Sequence, residues 1–172
     1  MDNDEMHQQS DRLLSQLAGW GIDVTLHTHV PLRTVEDAKS VEAAMVVEGE
    51  AAFRVKNLYL RDKKKRNYLV TLEQDREIDL KTLGKQLGVG GLSFGSADRL
   101  FEMLGIRPGA VSPLAMATGA EKGVRFIIDS SVREAARIYM HPLVNDRTVA
   151  MDVVDLWPFM DRVGATPEFL EF

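Results

Sequence analysis

Two β-prone runs joined by a short charged turn place the strongest constraint on how this 172-residue chain folds. Residues 51–61 and 68–72 are mostly apolar or β-branched, whereas five of the six residues in the turn over 62–67 are charged. This pattern is typical of an antiparallel hairpin. The sheet that contains it must therefore include at least one antiparallel pair of strands.

Strand-like and helical patterns alternate through the rest of the chain. Further strands are predicted over 22–29, 92–94, 124–129, 138–141 and 148–153. Helices are predicted over 5–18, 34–45 and 131–137, and after N-caps at Asp79, Ser96 and Asp155, with Pro158 in the first turn of the last one. We therefore expect an α/β (α+β) fold in which helices wrap a mixed, barrel-like sheet.

Length and composition restrict the number of domains and the classes of protein that this chain can belong to. No repeat or linker divides the chain, so we predict one domain over 1–172, with an N-terminal helix in 1–21 and a loosely held tail over 166–172. Cysteine is absent, which excludes disulfides, a thiol nucleophile and thiolate metal ligands. No apolar run is long enough for a membrane helix, and the acidic N-terminus is unlike a signal peptide. We expect a cytoplasmic protein that does not contact a membrane.

The loop over residues 109–113 contains both a residue with a freely variable backbone and a residue with a fixed one. Gly109 can adopt backbone angles that are closed to other residues, and Pro113 fixes its own φ and lacks an amide hydrogen. Between them, the amides of Ala110, Val111 and Ser112 are free to turn inward as a cradle for a carbonyl or an anion. The alternative is a tight connection between two elements.

Three groups of cationic or metal-binding side chains are candidates for function. His27 and His29 share one face of a predicted strand, and with His141 they would make a metal site, although such a pair is also typical of a half-exposed surface. Lys56 interrupts an apolar strand beside Asn57, either as a functional cation or as part of an ordinary solvent-facing alternation. The basic run of the turn is either a solvated hairpin tip or a contact for nucleic acid.

Taken together, several stretches resemble the YbaK-type family, the stand-alone relatives of the prolyl-tRNA synthetase editing domain, and most of all its branch called ProX or ProXp-ala. The resemblance covers roughly residues 25 to 155. The matching stretches, in family order, are 34–38 (TVEDA), 56–63 (KNLYLRDK), 68–70 (YLV), 92–100 (LSFGSADRL), 109–113 (GAVSP) and 141–145 (HPLVN).

The resemblance implies a trans-editing enzyme that hydrolyses the aminoacyl ester of mischarged tRNA(Pro), above all alanyl-tRNA(Pro), without a cofactor. It implies water as the nucleophile, with prolyl-tRNA synthetase as a further candidate partner. The implied catalytic residues are Lys56, Asn57 and His141. The implied substrate-binding residues are Gly109, Ala110, Val111, Ser112, Pro113, Met140 and Asn145. The implied tRNA-binding residues are Lys63, Lys64, Lys65 and Arg66.

Two alternatives from other classes of protein are consistent with the same residues. One is a nucleic-acid-binding module without catalysis, which would use the basic turn. The other is a metal-dependent hydrolase built on His27, His29 and His141.

Overall fold

The computed structural model describes residues 1–32 and 34–172. Its α-helices are α1 (Asn3–Gly19), α2 (Val35–Glu42), α3 (Leu80–Leu87), α4 (Ala97–Leu104), α5 (Met116–Gly119) and α6 (Val153–Val163). Short 3-10 turns cover Pro113–Ala115, Ala120–Lys122 and Ser130–Glu134. The strands are β1 (Val24–Thr28), β2 (Ala52–Arg61), β3 (Asn67–Glu73), β4 (Ser93–Phe94), β5 (Arg125–Asp129), β6 (Arg137–Met140), β7 (Arg147–Asp152) and β8 (Glu168–Leu170).

The strands form one mixed sheet in the order β1-β7-β6-β2-β3-β5-β8, and β4 pairs with β2 beside this path. The predicted hairpin is the antiparallel pair β2–β3, which begins at Arg61 opposite Asn67. Parallel pairs join β2 to β6, β3 to β5, and β5 to β8. The predicted mixed sheet with surrounding helices is confirmed.

One edge of β2 is only partly covered. Strand β3 follows the opposite edge from Val55 to Arg61. On the near edge, β6 pairs with residues 52–54 and β4 pairs with residues 60–61. Within the described part of the chain, residues 55–58 thus have no strand beside them on this edge, and we call this gap the β2 window.

Burial of apolar side chains holds the helices against the two faces of the sheet. The main core includes Leu17 of α1, Leu104 of α4 and Phe159 of α6, which pack with strand residues such as Phe53 and Met140. A second cluster lies under α3, where Leu83 packs with the other face of the hairpin. The long strand β2 contributes to both clusters because its successive side chains alternate between the faces.

Two predictions at the C-terminal end were wrong. Helix α6 starts directly after β7 with Asp152 as its N-cap, not Asp155, and Pro158 is its sixth residue rather than a first-turn residue. The helix starts early because Val153 and Leu156 both bury their side chains in the main core. The tail is not loosely held, because β8 pairs with β5 and Glu168 accepts two hydrogen bonds from Arg125.

The middle of the chain differs from prediction in two further places. The predicted helix over 131–137 is a 3-10 turn, Ser130–Glu134, and Arg137 already belongs to β6. The stretch after the loop, 113–122, forms short helical turns that the sequence pattern did not indicate. These turns bury Leu114 and Met116 completely or almost completely, so tertiary packing determines them.

Candidate active site at the open edge of β2

Asn57 connects the β2 window to the loop over residues 109–113. Its Nδ2 donates a hydrogen bond to the main-chain oxygen of Val111 over 3.0 Å. Its Oδ1 accepts a hydrogen bond of 2.6 Å from the hydroxyl of Thr71 on β3. Both ends of the amide are therefore engaged, which holds the loop at a defined position beside the sheet.

The loop also contacts the turn that follows β6. Gly109 has a φ of +89°, and a Cβ at this position would lie 3.4 Å from Nδ2 of Asn145. That Nδ2 donates to the main-chain oxygen of Leu32, and the amide of Leu32 donates back to the oxygen of Asn145, both over 3.2 Å. Gly109 is thus needed both for its backbone angle and for the close approach of Asn145.

The amide groups of the loop are not equivalent. The amide of Ala110 donates to the oxygen of Arg107 over 3.1 Å, so the prediction that this donor faces a ligand was wrong. The amides of Val111 and Ser112 have no acceptor among the residues that the structure describes. Ser112 is completely buried. Val111 is half-buried. Because buried amides without a partner are rare in proteins, these donors make the loop a candidate binding site.

Lys56 lies on the other face of β2 from Asn57, as neighbouring strand residues must. Its Nζ donates a hydrogen bond to the main-chain oxygen of Arg76. The structure therefore brings Asn57, but not the ammonium group of Lys56, into contact with the loop.

His141 follows the end of β6, the strand that pairs with β2 up to Arg54. Its Nδ1 donates to the main-chain oxygen of Arg147 over 2.8 Å, which leaves Nε2 as an acceptor. Burial lowers the pKa of His141 below its ordinary value, so the ring is neutral at pH 7. Met140, the residue before it, is buried in the main core.

The geometry gives no support to the metal-dependent alternative. His29 uses Nδ1 on the oxygen of Val30 over 2.7 Å and Nε2 on the hydroxyl of Thr148 over 2.8 Å. The ring centroids of His29 and His141 are 6.2 Å apart. Across residues 1–32 and 34–172, no group of three potential ligands lies close enough together to hold a metal ion.

The basic turn is organised around the buried carboxylate of Asp62. This carboxylate accepts hydrogen bonds from the amide of Lys64, from the amide and Nε of Arg66, and from the hydroxyl of Tyr68. Burial alone would raise the pKa of Asp62, but these hydrogen bonds outweigh it and lower the pKa to about 2. The side chain of Arg66 is therefore tied to the fold, whereas Lys63, Lys64 and Lys65 are exposed.

The basic turn lies at the far end of the strand that carries Asn57. The five residue-to-residue steps from Asn57 to Asp62 span roughly 17 Å of extended chain. A nucleic acid that contacts the lysines can thus run along β2 toward the window.

Sequence reasoning missed Thr71 and Arg76. For Thr71 a signal existed, because the hairpin register that pairs Arg61 with Asn67 also pairs Asn57 with Thr71. For Arg76 no signal existed, since the partner is a main-chain carbonyl that any residue would supply.

These observations agree with what comparison with known proteins shows. A family model described as an aminoacyl-tRNA editing domain matches residues 29–159. The chain therefore belongs to the aminoacyl-tRNA editing family, and the predicted class of enzyme, an aminoacyl-tRNA deacylase that acts on mischarged tRNA, is confirmed.

Individual relatives indicate which branch of the family this chain resembles. The chain is 34% identical to the prolyl-tRNA editing protein ProX of Acetoanaerobium sticklandii over 160 residues, which cover 92% of this chain and 94% of that protein. It is 39% identical to prolyl-tRNA synthetase associated domain-containing protein 1 of Mus musculus over 122 residues, or 68% of this chain and 72% of that protein. The resemblance to the YbaK-type family and its ProX branch is thus confirmed.

A solved structure of a candidate trans-editing enzyme for prolyl tRNA synthetase has the same fold. It superimposes with a TM-score of 0.66 at 18% identity and covers 95% of this chain and 97% of that one. None of the helices in the described ranges has the length and apolarity that crossing a membrane requires. The cytoplasmic location stays a prediction.

Proposed function

We propose that this chain removes alanine from mischarged tRNA(Pro) by attack of water on the aminoacyl ester at the β2 window. The observation that carries the proposal is the loop 109–113, which Asn57 ties to β2 while two of its amides have no acceptor among the described residues. Such donors, fixed before the substrate arrives, stabilise an oxyanion without reorganisation during the reaction. No covalent intermediate is required, because the enzyme positions the ester and the water.

Each predicted catalytic residue has a defined task in this proposal. Asn57 holds the loop in register with the sheet. Lys56 leaves the oxygen of Arg76 and turns its ammonium group toward the terminal phosphate or the ester. The neutral ring of His141 accepts a hydrogen bond at Nε2 from the terminal ribose or from the α-ammonium group of the amino acid.

Selection against proline follows from the size of the pocket. A close-packed pocket rejects a larger ring by steric clash, whereas one missing methylene changes the binding free energy by only about 1–3 kcal/mol. Met140 is fully packed in the core next to His141, and we propose it as a wall of the amino acid pocket. The remaining binding residues in the proposal are Gly109, Val111, Ser112, Pro113 and Asn145.

The test is a set of deacylation assays on tRNA(Pro) charged separately with alanine, serine, cysteine and proline. We expect the alanyl ester to be hydrolysed fastest and the prolyl ester to survive. Rapid hydrolysis of prolyl-tRNA(Pro) would contradict the proposed selectivity. Adding prolyl-tRNA synthetase to the same assay tests whether that enzyme is a partner, which a change in rate would indicate.

A substitution of Lys56 tests the proposed mechanism most directly in the same assay. We expect Lys56→Ala to lose roughly a hundredfold or more in single-turnover rate, the usual range for a lost electrostatic contact to the transition state. Lys85→Ala removes an exposed lysine from α3 and serves as the matched control. A folded Lys56→Ala protein with parental turnover would remove Lys56 from the mechanism.

A further inference from the structure

Phe94 is a large apolar side chain that the fold leaves in solvent. It lies on β4 and is 65% exposed. Single exposed apolar residues are common and have no meaning by themselves. The position of Phe94 distinguishes it, since β4 forms one border of the β2 window.

The backbone on both sides of Phe94 is held rigidly. The amide of Gly95 donates to the oxygen of Tyr59 over 3.0 Å. A Cβ on Gly95 would lie only 2.1 Å from the ring of Tyr59, so the chain presses directly against this ring. The next residue, Ser96, caps α4 through a hydrogen bond of 3.1 Å from the amide of Arg99 to its hydroxyl oxygen. Phe94 is thus presented to solvent from a fixed position.

Two basic residues lie near the strand that carries this side chain, although Arg61 points to the opposite face of the sheet from Phe94. The amide of Lys63 donates to Gly90, and the stem of Lys63 lies against Gly91, three residues before Phe94. Arg61 is paired with Ser93, and its buried Nε has no hydrogen-bond acceptor in the described part of the protein. Lys63 is exposed, so a polyanion that reaches this end of β2 meets an accessible cation close to an exposed aromatic ring.

The register relates Phe94 to the reacting end of the site. Phe94 lies opposite Leu60, and directly opposed residues of an antiparallel pair share a face. Lys56 lies four residues from Leu60 on that same face, or about 13 Å along the strand. This span matches about four stacked nucleotides at roughly 3.4 Å each.

We propose that Phe94 stacks against an unpaired base in the single-stranded 3′ end of the tRNA, while Lys63 faces its phosphates. Aromatic side chains are the usual platforms for bases of single-stranded RNA. The inference rests on the proposed function, because it names the surface that guides the charged end to the β2 window.

The test compares the affinity of each protein variant for two uncharged RNAs, full-length tRNA(Pro) and the same tRNA without its last four nucleotides, the length of the span from Phe94 to Lys56. We expect Phe94→Leu to weaken binding of the full-length tRNA by roughly 5- to 150-fold, the range for one lost aromatic stack. The same variant should bind the shortened tRNA as the parent does. Phe94→Trp should restore binding, because it returns a flat ring. Phe101→Leu makes the same chemical change on α4 and should leave both affinities unchanged.

The outcomes separate this inference from the function on which it rests. If the parent deacylates alanyl-tRNA(Pro) but Phe94→Leu keeps its affinity for full-length tRNA, the stacking inference fails alone. An equal loss on both RNAs would also overturn it, since the contact would then lie outside the 3′ end. If the parent neither binds nor deacylates the tRNA, the proposed function fails and the inference fails with it. Thermal unfolding of each variant excludes misfolding as the cause.

Discussion

The side-chain amide of Asn57 and the main-chain oxygen of Val111 form a 3.0 Å hydrogen bond between residues 54 positions apart in the sequence. This bond joins the middle of β2 to the loop over residues 109–113. Thr71 fixes the other end of the same amide, so Asn57 cannot rotate without losing both contacts. The pair thus sets where the loop amides stand relative to the β2 window.

Removing the hydrogen bond between Asn57 and Val111 should lower the rate of deacylation more than it lowers the stability of the fold. We expect Asn57→Ala to lower the single-turnover rate of deacylation by about a hundredfold, since a displacement of about 1 Å in a positioned group can have that effect. Asn67→Ala is the matched control, because its amide oxygen accepts from the hydroxyl of Tyr59 at the other end of the hairpin. Equal rates for the two variants would show that the loop needs no anchor.

The positive φ of Gly109 predicts a specific loss on substitution. Gly109→Val forces a β-branched residue into the left-handed region and toward Asn145, and we expect a free energy cost of about 1–2 kcal/mol from the backbone alone. Gly123→Val is the control, because Gly123 has a φ of +74° with open space around its Cβ position. Both variants should lose similar stability in denaturant unfolding, but only Gly109→Val should lose most of its deacylation rate. If both keep the parental rate, the loop is only a connection.

Replacing Lys63, Lys64 and Lys65 together by Gln should weaken tRNA binding and flatten its salt dependence. Each lysine that faces a phosphate contributes about 1 to the slope of log affinity against log salt, so the slope should fall by up to about three. Arg66 is left in place because its side chain holds Asp62. A charge-matched variant of Lys81, Lys85 and Lys122 should keep the parental slope. An unchanged slope in the turn variant would show that the acceptor stem docks elsewhere.

The histidines His7 and His141 should titrate on opposite sides of the ordinary pKa of about 6.5. Burial lowers the pKa of His141, whereas hydrogen bonds to the oxygen of Asn3 and the carboxylate of Asp146 raise that of His7. As pH falls below about 6.5 the unfolded chain takes up the proton at position 141 first, so the folded state loses stability there. His7 acts in the other direction, and its contribution is lost as pH rises through its raised pKa. Titration of the ring protons by NMR measures both values, and a pKa for His141 at or above 6.5 would contradict the neutral ring.

The local sequence pattern was enough to predict most of the elements and the family. The charged turn between two β-prone runs determined the hairpin, because turn and strand preferences act over a few residues. Asp79 and Ser96 cap α3 and α4 as predicted, and Gly88 and Gly105 end them in left-handed conformations. The stretches that carry the family resemblance are likewise contiguous, so they could be recognised without a structure.

The tertiary structure alone decided which of these residues meet. The strand in the tail forms because β5 offers a free edge about forty residues earlier in the chain, which no local pattern reveals. Lys56 and Asn57 are neighbours in the sequence, yet the alternation of a strand sends one to Arg76 and the other to Val111. The sequence also did not determine which loop amides lack an acceptor. The amide of Ala110 donates to the oxygen of Arg107, whereas the amide of the buried residue Ser112 has no acceptor among the described residues. The sequence determines the local elements and the chemical groups that are present. Contacts between residues 50 or more positions apart depend on how the sheet and its helices pack.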